Sequence, residues 1–180
     1  MKTLLNAEQI HATIEKLFNN IVANVSPESN LAVIGIRSRG EILANRLTRK
    51  LEERLGYKIP CGTLDITLYR DDLHAPRSGA QPTVRTTEIE FDVNDKFILL
   101  VDDVLHTGRS VRAAMDALTD LGRPRAVRLA VLVDRGEREL PIRADYVGLR
   151  VEADANELVK VHLVEEDDVD QVIIEHADDV

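Results

Sequence analysis

The chain has 180 residues, 44% hydrophobic and 31% charged, with a formal net charge of −9 at pH 7. That length suits one domain with a sizeable core, and the balance excludes a disordered or fibrous chain. No apolar run approaches the ~18 residues of a membrane span, the N-terminal stretch lacks a signal-peptide core, and Cys61 has no partner for a disulfide. A cytoplasmic protein without membrane contact is therefore expected.

The sequence predicts elements in the following order. Asn6 with Gln9 three residues on has the spacing of a capping box, and Ile10, Ile14, Leu17, Phe18, Ile21 and Val25 continue a helical period. LAVIGI (31–36) is a short continuous apolar run, as expected of a strand buried on both faces. It breaks at RSRG, and EILANRLTRKLEERL reads as the next helix. TLDITLY is a second strand, TEIEFDV a returning arm, and residues 71–87 between them a long loop. A strand at 97–103, a helix at 109–121 and a strand at 126–134 follow, with shorter strand-like pieces at 145–149, 158–164 and 171–175. Alternating strands and helices imply an α/β fold with a mainly parallel sheet, and residues 1–180 read as a single domain. Eleven of the 32 acids and one of the 23 bases lie in residues 151–180, so the net negative charge belongs to that segment, expected to be a solvated acidic face.

The chemistry concentrates in FILLVDDVLHTGRS (97–110). A buried strand ends in two adjacent carboxylates, and a turn with Thr107, Gly108, Arg109 and Ser110 opens a helix. A helix N-terminus presents unpaired N–H groups and positive potential, which suits a phosphate. The spacing and the lysine of a nucleoside-triphosphate loop are absent. Two carboxylates can accept hydrogen bonds from vicinal hydroxyls or hold a divalent metal. A phosphate cradle beside a diol clamp describes a ribose 5-phosphate site. The five histidines show no metal-ligand spacing, and no covalent nucleophile is indicated.

FILLVDDVLHTGRS resembles the phosphoribosyl-pyrophosphate (PRPP) signature of type I phosphoribosyltransferases. GIRSRGEILANRL, GTLDITLYRDDL, VDDVLHTGRSVRAAMDAL, GRP and AVLVDRGERELPIRADYVG together resemble the bifunctional pyrimidine operon attenuation regulator/uracil phosphoribosyltransferase family, over roughly residues 5–150. That resemblance implies a type I fold, with a central parallel sheet flanked by helices, a mobile loop hairpin and a small C-terminal hood. It implies that Asp102 and Asp103 bind the ribose hydroxyls. Val104, Leu105, His106, Thr107, Gly108, Arg109 and Ser110 form the loop around the 5-phosphate, and Ser38 and Arg39 meet the pyrophosphate. Tyr69, Arg70, Asp71 and Asp72 begin the mobile loop, with Arg70 catalytic, and Arg135 and Val151 lie at the base pocket. Mg²⁺ is the implied cofactor. The implied ligands are PRPP, uracil and the uridine nucleotides UMP and UTP, in a homo-oligomer that is a dimer or larger.

The family's second activity is binding the leader RNA of pyrimidine operons through a basic face, to which Lys16, Arg138 and Arg143 would contribute. A segment usually read RGHRELPIRADYVGKN is here RGERELPIRADYVGLR: Glu137 stands for a histidine and Leu149 for a lysine. Glu15 adds a further negative charge on the first helix. The usual tyrosine at 106 is His106, and the usual threonine at 110 is Ser110; both still suit a phosphate loop. Intact transferase chemistry with weakened RNA binding is therefore expected. Two alternatives remain open at this point: a nucleotide-responsive RNA-binding attenuator with little catalysis, and a purine phosphoribosyltransferase.

Overall fold

A computed structural model describes residues 1–26, 29–72 and 85–177. Most of the long loop expected at 71–87, including His74, lies outside the described residues.

Strand β1 (Lys2–Leu5) leads into helix α1 (Ala7–Asn24), then come β2 (Leu31–Ile36), α2 (Arg39–Leu55) and β3 (Cys61–Leu64). Strand β4 (Phe97–Leu105), helix α3 (Arg109–Leu121), and strands β5 (Ala126–Asp134) and β6 (Tyr146–Arg150) complete the central unit. Strand β7 (Glu157–His162), the one-turn helix α4 (Val164–Asp167) and strand β8 (Gln171–His176) follow. The α1 start is the predicted capping box: Asn6 Oδ1 accepts from Gln9 N at 2.9 Å, and Gln9 Oε1 accepts from Asn6 N at 2.9 Å.

Five strands form a parallel sheet in the order β3-β2-β4-β5-β6. Helices cover both faces, which is why its strands are continuously apolar. Successive side chains alternate between two cores. On one side Val33, Leu99, Val101 and Leu132 pack with Ile14, Leu17 and Ile21 of α1 and Leu43, Leu47 and Leu51 of α2. On the other, Ile34, Ile98, Leu100 and Val131 pack with Val111, Ala114 and Leu118 of α3. Each fully buried leucine or isoleucine contributes about 1.5–3 kcal/mol.

The chain adds β3 on one side of β2 and β4 on the other, so the strand order reverses between β2 and β4. Such a reversal opens a crevice beyond the carboxyl ends of the strands, and open α/β sheets bind ligands there. The turns after β2 and β4 are RSRG and HTGRS.

The hood is a small antiparallel sheet of order β1-β8-β7. The sequence reading left β1 out and ran a strand through 164, where α4 begins. The strand expected to run to Tyr69 ends at Leu64 and passes into a 3₁₀ turn at Thr67–Tyr69. Asp65 causes the break, because its Oδ1 accepts from both Thr67 N at 3.0 Å and Thr67 Oγ1 at 2.6 Å; such local bonds compete with a sheet ladder.

The acidic C-terminal segment is solvated at Glu152, Asp154, Glu166 and Asp168, but three of its other acids pair with α2. Arg39 of α2 binds Asp167 with two bonds of 2.6 and 3.1 Å. Arg46, about two turns of helix further on, binds Glu165 at 2.5 and 2.9 Å and Asp170 at 2.8 and 3.0 Å. Forked guanidinium–carboxylate pairs combine charge with fixed geometry. They clasp the hood onto α2 and hold the three carboxyls below the usual range, Arg39 acting on Asp167 and Arg46 on Glu165 and Asp170.

Candidate active site

Asp102 and Asp103 sit near the end of β4, next to the strand reversal. Asp103 N donates to Asp102 Oδ1 at 2.9 Å, and Val104 N donates to Asp103 Oδ1 at 2.8 Å. Asp102 is buried, with 7% of its surface exposed. Burial, and then the neighbouring Asp103 charge, push its carboxyl well above the ordinary range. The described structure thus holds a carboxyl in a poor place for folding, which is a common mark of a ligand site.

The turn beyond it is shaped by Gly108, whose φ of 93° lies in the left-handed region. That conformation turns the chain sharply into α3, so the helix N-terminus faces the end of β4. Arg109 N donates to Thr107 Oγ1 at 3.3 Å. The Arg109 side chain is exposed and bridges two acids, Asp71 at 2.5 Å and Glu139 at 2.6 Å. Arg109 therefore ties the start of the long loop to the phosphate turn.

Ile36, Arg37, Ser38 and Arg39 from the β2 turn meet Asp102, Asp103, Val104 and Ser110 around a cleft of about 300 Å³, closed on a third side by Asp65, Ile66, Thr67 and Arg70. Cations from one turn, carboxylates from a strand end and a helix N-terminus thus share one space. A wider groove of about 780 Å³ lies between α1 and β6. It takes in Phe97 at the start of β4 and has neither the carboxylate pair nor the glycine turn, so the smaller cleft is the one with the chemistry.

Residues 1–166 match the phosphoribosyl transferase domain family. The bifunctional protein PyrR of Deinococcus deserti is 51% identical over 178 residues, covering 99% of this chain and 96% of that protein. That of Thermus aquaticus is 52% identical over 169 residues, covering 94% and 92%. The chain belongs to the PyrR family of phosphoribosyl transferases. The fold agrees with those of more distant enzymes. The hypoxanthine phosphoribosyltransferase of Trypanosoma cruzi superposes with a TM-score of 0.69 at 18% identity, covering 98% of this chain and 97% of that one. The purine phosphoribosyltransferase of Pyrococcus horikoshii gives 0.61 at 24% identity, covering 82% and 86%.

Within this PyrR-family chain, Ser38, Arg39, Arg70, Asp102, Asp103, Val104 and Ser110 of the expected site line one cleft. Among the further lining residues, three polar ones (Arg37, Asp65 and Thr67) were not singled out from the sequence. Arg37 has a side chain only 16% exposed, and its buried Nε makes no hydrogen bond among the described residues, with Glu41 Oε2 3.7 Å away. Asp65 and Thr67 lie inside LDITLY, which read as plain strand. Burial works to raise the Asp65 carboxyl, but the Thr67 hydroxyl and the Thr67 and Arg85 N–H groups outweigh it and hold it below the usual range.

The expected base-pocket residues make the following contacts within the chain. The Arg135 guanidinium is buried, donating to the Glu157 carbonyl at 2.7 Å and to Glu137 Oε2 at 2.7 Å. It braces the hood. Val151 N donates to the Asp134 carbonyl at 2.9 Å. His106 Nε2 lies 3.6 Å from Glu137, and burial, followed by the Arg135 charge, lowers its pKa.

The residues expected at the RNA face differ in exposure and partners. Arg138 is not a surface cation: its donors reach the Ile142, His106 and Gly136 carbonyls and the Asp134 carboxylate. Lys16 Nζ donates to the Gly148 carbonyl at 3.2 Å. Arg143 is exposed. The acids expected to repel RNA are themselves paired, Glu137 with Arg135 and Glu15 with Lys50. Each of these two acids thus has a cation of this chain as its partner. Among the described residues no helix is long and apolar enough to cross a membrane.

Proposed function

We propose that the protein transfers the phosphoribosyl group of PRPP to uracil, forming UMP and pyrophosphate, and that it regulates pyrimidine biosynthesis by binding leader RNA in response to uridine nucleotides. The observation carrying the first part is the convergence of the Asp102–Asp103 pair, Ser110 in the first turn of α3 and the Ser38–Arg39 turn on one cleft. Each part matches one part of PRPP. The N-terminus of α3 and Ser110 suit the 5-phosphate, the carboxylates the ribose hydroxyls, and Arg37, Ser38 and Arg39 the pyrophosphate.

Uracil nitrogen attacks the anomeric carbon as the bond to pyrophosphate breaks. Positive charge develops on the sugar and negative charge on the leaving group. The Asp102–Asp103 carboxyls lie where the former is stabilised, and the arginines of the β2 turn where the latter is. Arg70, at the cleft mouth, adds donors for the leaving group.

The donor set fits Mg²⁺, which takes one or two carboxylates plus substrate phosphate oxygens. Asp102 and Asp103 would hold it with PRPP. When bound it neutralises pyrophosphate charge. The PyrR relatives are bifunctional by name, and that supports the regulatory half of the proposal. A homo-oligomer, cytoplasmic location and a single domain over 1–180 remain part of this reading.

The experiment is a competition with PRPP and Mg²⁺ between uracil and hypoxanthine. UMP as the main product is expected. Inosine monophosphate alone would make the chain a purine enzyme and overturn the proposal.

A further inference from the structure

The segment after β5 makes an unusual set of contacts with the back of the phosphate turn. Arg135 N donates to the Leu105 carbonyl at 3.0 Å. Arg138 Nη1 donates to the His106 carbonyl at 2.9 Å, with the Leu105 carbonyl at 3.5 Å. Glu139 N and Leu140 N donate to the Thr107 carbonyl at 3.0 and 3.1 Å. Three consecutive carbonyls of the turn are thus held from one side.

In a planar trans peptide the C=O and the following N–H point in opposite directions. Fixing the His106 carbonyl therefore fixes the Thr107 N–H, and fixing the Thr107 carbonyl fixes that of Gly108. These are N–H groups at the turn that opens α3. Of the four holding groups, only Arg138 acts through a side chain. Its side chain is 22% exposed, and its guanidinium also reaches the Gly136 carbonyl at 3.1 Å, the Ile142 carbonyl at 2.9 Å and Asp134 Oδ1 at 2.7 Å. A planar fork meets such an acceptor set; an ammonium does not.

We infer that Arg138 is a positioning residue, which orients the backbone donors of the 106–108 turn toward the 5-phosphate of PRPP. The inference rests on the proposed PRPP site. It gives this arginine a role in the transferase half of the molecule.

The test is calorimetric titration of the full chain with two separate probes, ribose 5-phosphate and inorganic pyrophosphate, each with Mg²⁺. In Arg138→Gln and Arg138→Lys the Kd for ribose 5-phosphate rises roughly tenfold, the lower end for a lost bond to a charged group. Pyrophosphate, held at Ser38 and Arg39, keeps its Kd within about twofold. In turnover, the KM for PRPP rises while kcat changes little. Lysine fails to rescue, because it restores charge without the fork. Asp134→Asn, which removes the charged acceptor of Nη2, gives the same selective loss at roughly threefold and serves if the arginine variants do not fold. Equal weakening of both probes would mean a general structural role, and unchanged binding of both would mean no role; either result overturns the inference. Absence of wild-type binding to both probes would instead overturn the PRPP reading itself.

Discussion

Gly108→Ala separates the phosphate turn from the rest of the fold. The φ of 93° at Gly108 disfavours any side chain, at about 1–2 kcal/mol. A Cβ there would lie 3.3 Å from Ile142 Cβ, 3.4 Å from Ile142 Cδ1 and 3.5 Å from Leu140 Cβ. Ile142 cannot swing freely, because its carbonyl takes the Arg138 Nε bond at 2.9 Å. Strain is relieved more cheaply by moving the 107–109 peptides, which displaces donors from the phosphate. Loss of one such charge-assisted bond costs about 1.5–3 kcal/mol, or roughly tenfold to a hundredfold in Kd. Gly56→Ala is the control: Gly56 also has positive φ, 78°, yet a Cβ there meets nothing within 4 Å. Both variants lose about 2–8 °C of melting temperature from the backbone penalty. Only Gly108→Ala loses PRPP affinity in calorimetry. If Gly108→Ala binds PRPP within twofold of wild type while melting like Gly56→Ala, the turn does not hold the phosphate.

Asp102→Asn trades function for stability. A carboxyl raised by burial supports the fold fully below its unfolded pKa of about 4 and loses that support as pH rises through the raised folded value. The variant should therefore melt above wild type at pH 7, with the gap closing toward pH 4, while turnover falls; a variant less stable at pH 7 would contradict the assignment of the raised carboxyl. Asp103→Asn should lower kcat more than it raises the KM for PRPP, since it answers charge developing on the sugar; a raised KM with kcat unchanged would limit Asp103 to ground-state binding. Arg46→Gln should cost about 1–2 kcal/mol at pH 7. The clasp carboxyls have lowered folded values, so their contribution is present above about pH 4 and lost as pH falls through those values. Acid unfolding of Arg46→Gln should accordingly be flatter below pH 4, and an unchanged acid limb would show the clasp to be energetically idle.

The sequence was most informative where local chemistry decides local structure. Asn6 and Gln9 cap α1 as their spacing implied, and the run from Phe97 to Ser110 is a buried strand, a carboxylate pair and a helix-opening turn. β1 was invisible because KTLL is only four residues and its partner β8 lies at the other end of the chain. LDITLY looked like uninterrupted strand because β propensity says nothing of where Asp65 sends its carboxylate. Charged residues misled most. Arg138 and the acids at 165, 167 and 170 all read as surface charge, yet each has a partner far away in sequence or on the backbone. A sequence displays a side chain's charge but not the carbonyl or carboxylate that a tertiary fold brings to it, and the pairing decides whether the residue faces a ligand.

The most direct measurement is turnover of radiolabelled uracil with PRPP and Mg²⁺, following labelled UMP and pyrophosphate together in wild type and Asp103→Asn. The account predicts equal amounts of the two products from wild type and a large loss of both in the variant. No UMP from wild type, or UMP formed at the same rate by Asp103→Asn, would contradict it.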